Sequence, residues 1–156
     1  MTPGTSWHDR IARVGPAYHA WWAGELDRPI VPVSVFVDPD GRPLAAPVSQ
    51  AEAARGIPSE AYLDRWQARF EATRYLGDAF PAMSLCAFGP VVTAAVLGAT
   101  VELHDGLIWY RYESAPAPPD FTVSLDRGNE WLARIVDLVA AAHERWGSSV
   151  AIATPE

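Results

Sequence analysis

The sequence predicts a mixed α/β fold laid out as a partial (β/α)8 TIM barrel, with N-terminal helices, about three barrel strands and a β-hairpin. Three observations carry that expectation. Apolar, β-branched runs alternate with stretches of helical period, the order that builds parallel sheets. A hairpin signature, His104-Asp105-Gly106 between two apolar runs, interrupts the alternation. The final apolar run, 150–153, has three residues after it, whereas closing a barrel takes eight strands and about 250 residues.

The elements follow in chain order. Trp7, Ile11, Val14, Tyr18 and Trp21 recur at helical spacing, with Thr5 or Ser6 as the cap. Gly15-Pro16 predicts a kink or two short helices, because proline lacks the N–H and crowds the preceding turn. Residues 30–37 read as a buried first strand, and Asp38-Pro39-Asp40-Gly41 as a turn. A short helical turn is expected over 50–55. Ser59 then caps a helix whose face is Tyr62, Leu63, Trp66, Phe70 and Thr73, closed by Gly77. Residues 79–85 are the second strand, and Gly89-Pro90 opens a short helix that Gly98 stops. The hairpin pairs 100–103 with 107–112, and the proline-rich stretch 114–120 is a stiff connector. Trp131, Ile135, Leu138, Ala142 and Trp146 mark the longest helix, ended by Gly147, and 150–153 is the last strand. The apolar-stripe tryptophans are expected to be packing residues.

Composition removes several function classes. The chain has 156 residues, nearly half of them apolar and a fifth charged, an ordinary globular balance. Its net charge of −7 argues against nonspecific binding to nucleic acid or an anionic membrane, both of which need clustered positive charge. All twelve basic residues are arginine, so neither a Schiff-base lysine nor a lysine-bearing phosphate loop is present. Cys86 is the single cysteine, which excludes an intramolecular disulfide and a cysteine-based zinc cluster. No apolar run reaches the roughly 18 residues of a membrane span, and the first residues lack the pattern of a signal peptide. The expected setting is the cytoplasm.

Several stretches carry a family likeness. They are Trp21-Trp22-Ala23-Gly24-Glu25-Leu26 followed by Asp27-Arg28-Pro29; Tyr75-Leu76-Gly77-Asp78-Ala79-Phe80-Pro81; Phe88-Gly89-Pro90; Leu97-Gly98 leading to Leu103; and Gly106-Leu107-Ile108-Trp109. By their order and spacing the chain resembles the N-terminal portion of uroporphyrinogen decarboxylase-like proteins, a family that includes corrinoid-dependent methyltransferases. The resemblance implies a (β/α)8 barrel of which this chain holds the first part. It also implies a parent chemistry of corrinoid-linked methyl transfer or tetrapyrrole decarboxylation. For a complete homologue it implies zinc, held by His and Cys ligands in the later half, and a corrinoid partner protein; this chain supplies no such cofactor site. Family decarboxylases carry a Phe-Ser-Asp run at the end of the second strand. Here Met83-Ser84-Leu85 stands there, without the acid.

The candidate substrate-binding residues are Arg42 and Cys86. Arg42 lies in the loop leaving the first strand, where the family grips substrate carboxylates with arginines; a solvated loop arginine beside Asp38 and Asp40 is the plainer reading. Cys86 follows the second strand just ahead of a helix start, a place that favours a reactive thiolate; a small buried thiol packing as a hydrophobe is the plainer reading. Asp78 reads as a turn or cap residue. His8, His19, His104 and His143 form no metal pattern, since His8 and His19 on one helix would stand roughly 16 Å apart. The expectation is therefore a fragment or split half of a barrel enzyme, inactive alone, whose partner is a separate C-terminal barrel half or another copy of itself. The alternative is a noncatalytic α/β module for binding or dimerisation.

Overall fold

The computed structural model describes residues 6–37, 47–89, 92–112 and 125–153. It is a mixed α/β structure with five α-helices and three two-stranded sheets among those residues. Arg42, the turn at 38–41, Pro90 and the connector at 114–120 lie outside them.

The core forms where two amphipathic helices close over a short parallel pair of strands. Helix α3 (Ser59–Glu71) buries Tyr62, Leu63 and Phe70, and α5 (Glu130–Trp146) buries Trp131, Leu138, Ala142 and Trp146. Beneath them strand β3 (Ala82–Ser84) pairs in parallel with β6 (Ala151–Ala153), Met83 standing opposite Ile152. Met83, Leu85 and Val150 join the same apolar cluster. Fully burying a side chain of this size contributes about 1.5–3 kcal/mol, so this cluster is the main source of cohesion. The ends of α5 are written locally. Asn129 Oδ1 accepts from the N–H groups of Trp131 and Leu132, and Gly147 leaves the helix at φ +53°.

A 3₁₀ turn (Cys86–Phe88), helix α4 (Val92–Val96), the hairpin and α5 lie between β3 and β6. In the hairpin β4 (Thr100–His104) and β5 (Leu107–Arg111) are antiparallel. Asp105 and Gly106 both take positive φ, as a two-residue hairpin turn requires.

The N-terminal part departs from expectation. Strand β1 (Pro32–Phe36) is not a buried parallel strand: it runs antiparallel to β2 (Thr73–Gly77), a strand the helical stripe through Thr73 had hidden. The run 30–37 alternates valine with Pro32, Ser34 and Phe36, so its valines share one face, and the described chain leaves that face exposed. With β1 removed from the parallel set, β3 and β6 are the one parallel pair among the described residues, and no closed barrel is present there. Helix α1 (Trp7–Trp22) is continuous despite Pro16. The carbonyl that loses its donor is that of Ala12; Ala12 and Pro16 are both exposed, so water can replace the missing bond. Helix α2 (Gln50–Ala54) forms as expected, capped by Ser49. The cap of α3 is Pro58, without a side-chain bond, and Ser59 is its first helical residue. Trp131 and Trp146 are core residues, whereas Trp21 is about half exposed.

Candidate functional site at the end of the parallel pair

Ligands of open and closed parallel sheets gather beyond the C-terminal ends of the strands. In this chain that place is the end of β3, where Ser84 is followed by Leu85 and Cys86. Leu85 is fully buried and ties the segment to the core. The Tyr62 hydroxyl, from α3, donates to the Ser84 carbonyl at 3.0 Å. Burial raises the pKa of Tyr62, so it stays a neutral donor. Ser84 Oγ accepts from the Cys86 N–H at 3.2 Å and donates to Cys86 Sγ at 2.7 Å.

The turn that follows is pinned from the hairpin. The Tyr110 hydroxyl donates to the Phe88 carbonyl, and burial raises its pKa as well. Gly89 takes φ +83°, and a Cβ there would meet Tyr110 Oη at 3.2 Å, so glycine permits both the turn and the close tyrosine. Beyond Tyr110 lies an open cleft of about 470 Å³, lined by Gln50, Ala94, Ile108, Trp109, Tyr110 and Tyr112. It is mostly apolar, and Gln50 Oε1 accepts from the Ile108 N–H at 2.7 Å.

Cys86 is exposed, contrary to the packing reading of a small buried thiol. It presents a soft nucleophile with a hydroxyl beside it. Among the described residues no group of three or more His, Cys, Asp or Glu side chains could hold a metal ion. Cys86 thus supplies at most one ligand, and the described residues by themselves do not fit a zinc centre, which takes three or four. Arg42, the other sequence candidate, lies outside the described residues, so the structure does not bring the two together. Ser84, Tyr62 and Tyr110 were missed by sequence reasoning; the two tyrosines act through hydrogen bonds across 22 residues and leave no local pattern, whereas Ser84 bonds to Cys86 only two residues on.

Asp78 has a clear structural role. Its carboxylate accepts two bonds from the Arg28 guanidinium, at 2.7 and 2.8 Å, and a third from the Val31 N–H at 2.9 Å. Hydrogen bonding to Arg28, then to Val31, holds its pKa well below the usual carboxylate range. Arg10 of α1 donates to the carbonyls of Gly77 and Ala79, and Tyr18 to that of Asp78. These bonds fasten the β1–β2 ribbon to α1 and, through the short link 78–81, to β3.

Comparison with family models, with curated proteins and with solved structures finds no match for this chain. No helix among the described residues is long and apolar enough to cross a membrane.

Proposed function

We propose that the chain is the opening part of a uroporphyrinogen decarboxylase-like barrel, whose parent chemistry is corrinoid-linked methyl transfer or tetrapyrrole decarboxylation, and that it is inert until further strands are supplied. The observation that carries this reading is the parallel pairing of β3 with β6 across an intervening helical layer, the repeating unit of a (β/α) sheet. The outer edges of that pair have no strand neighbour among the described residues, and open sheet edges call for cover. Ser84 and Cys86 stand at the end where a barrel's substrate would lie. The apolar cleft beside Tyr110 offers Trp109 and Tyr112 as flat surfaces on which a large ring can stack. Leu85 in the place of the family acid favours methyl transfer over decarboxylation for the parent.

The test is reconstitution. The polypeptide encoded immediately downstream, supplied in trans or fused, is mixed with this chain. Methyl transfer from a methylcorrinoid, or porphyrinogen decarboxylation, is expected only in the mixture. Amide exchange at 82–84 and 151–153 should slow when the two meet. Turnover by the chain alone, or unchanged exchange after mixing, overturns the reading. The alternative of a noncatalytic self-associating module is favoured by a different feature, the exposed valine face of the ribbon.

A further inference from the structure

Strand β5 has one edge against β4 and no strand on its other edge among the described residues. The two-residue turn at Asp105 and Gly106 sets which backbone groups face that open edge. His104 and Leu107 close the turn as a hydrogen-bonded pair, and bonded and non-bonded pairs alternate from there. Trp109 therefore bonds to Glu102, while Ile108 and Tyr110 turn their N–H and C=O groups away from β4. The Ile108 N–H shows that orientation directly: it is met from outside the hairpin by Gln50 Oε1 at 2.7 Å. The Ile108 C=O and both backbone groups of Tyr110 have no hydrogen-bond partner among the described residues. Ile108 is only 6% exposed, so this edge is the floor of a recess, the cleft of about 470 Å³ walled by Gln50 of α2 and Ala94 of α4.

We propose that this cleft binds a short extended peptide, apolar at alternate positions and neutral or basic overall, which adds a third strand to the hairpin along β5. An extended backbone is the ligand whose donors and acceptors alternate at the spacing of a strand edge. It supplies an acceptor to the Tyr110 N–H and donors to the two carbonyls, groups that folded proteins seldom leave unmet away from water. Both faces of an added strand find apolar neighbours, Leu107 and Trp109 on one side and Tyr110 and Tyr112 on the other. Leu107, Trp109 and Tyr112 are exposed and so free to pair across strands. The net charge of −7 repels an acidic peptide and steers a basic one inward. The recess decides against a second copy. A lone strand seats about 4.8 Å from β5, whereas another copy's β5 would bring its own α2 and α4 against these walls. The proposal does not rest on the barrel reading: a ring stacked on Trp109 leaves the Tyr110 backbone groups unmet, and the two are measured separately.

Amide NMR of the full chain with a blocked peptide, Arg-Thr-Val-Thr-Val-Thr-Arg, tests it. Saturable binding is expected, with shift changes centred on 107–112 and exchange of the Tyr110 amide slowed roughly tenfold or more. Two further peptides carry N-methyl groups either on the valines or on the threonines. N-methylation removes a donor, and only one alternate set faces β5. One form is expected to lose roughly tenfold or more in affinity while the other keeps it. Trp109→Thr keeps strand preference but removes apolar surface. It should weaken binding roughly threefold or more, with the hairpin's other amide signals retained. No binding at about 1 mM peptide overturns the proposal. So does equal affinity for the two methylated forms. A Tyr110 amide whose protection rises with protein concentration alone overturns it too, in favour of a second copy on this edge.

Discussion

The helical body and the β1–β2 ribbon are held by different forces. In the body, Tyr62, Leu63, Met83, Leu85 and Val92 are almost wholly removed from water, and cohesion is spread over many contacts that no single polar bond controls. In the ribbon the valines remain in solvent, and attachment passes through a few directed bonds: Arg28 and Val31 to Asp78, Arg10 to the carbonyls on either side. Burial makes the body tolerant of surface charge and intolerant of lost volume. Directed bonding makes the ribbon sensitive to one backbone conformation and one ionisation. The ribbon should therefore be able to fail while the body holds.

Lost volume in the body should have the largest effect. Leu63→Ala opens a cavity at a fully buried position of α3 and is expected to cost about 2–5 kcal/mol, seen as a lower denaturation midpoint for all signals together. Gly77→Ala strikes the ribbon. A Cβ there would lie 2.3 Å from the Val31 carbonyl oxygen at φ +54°, and the expected cost exceeds about 1 kcal/mol. Its signature is fast amide exchange over 31–37 while exchange over α5 is unchanged; equal loss in both regions would end the idea of separable units.

Ionisation separates them next. Unfolded Asp and Glu titrate near 3.9 and 4.3, whereas Asp78 is held lower by Arg28 and Val31, and Glu52 is held at about 2 by the Ser49 N–H and Arg65. The unfolded chain then binds more protons as pH falls, so stability is whole above about pH 5 and lost through pH 4 towards 2. Asp78→Asn should flatten that acid dependence in the ribbon's exchange while leaving the acid dependence tied to Glu52. Smallest of all is Cys86→Ser, expected to leave the melting temperature nearly unchanged because the thiol is exposed. In the unsubstituted folded protein a thiol reagent should label Cys86 without denaturant; labelling only after unfolding would contradict its placement.

Legibility in the sequence followed locality. Helix α5 declares itself by period and by Gly147, and the hairpin by Asp105-Gly106, all encoded within a few residues. Strand β2 was hidden because Thr73 continues the apolar stripe of α3 and its partner, Phe36, lies far back in the chain. Strand β1 is legible as a strand but its sheet is not: composition shows β-preference, not which neighbour is met. At the candidate site Cys86 was visible as a lone thiol, yet its exposure depends on how Leu85 and the following turn pack. The Arg28–Asp78 pair joins residues 50 positions apart, and nothing in the local pattern of either foretells it.

The parallel pair has a temporal consequence. Ala82 and Ala151 are register partners, so β3 cannot find its neighbour until nearly the whole described chain has been made. The hairpin closes across two residues and can form within microseconds, and α5 can nucleate on its own stripe. Strand β3 must wait, its edge open, for the closure with the longest reach of the three sheets. Long-range parallel pairing is intrinsically slow and exposes strand edges meanwhile. Assembly should thus proceed from hairpin and helices to the parallel pair, and the interval before β6 arrives is when the chain is most prone to pair with the wrong strand.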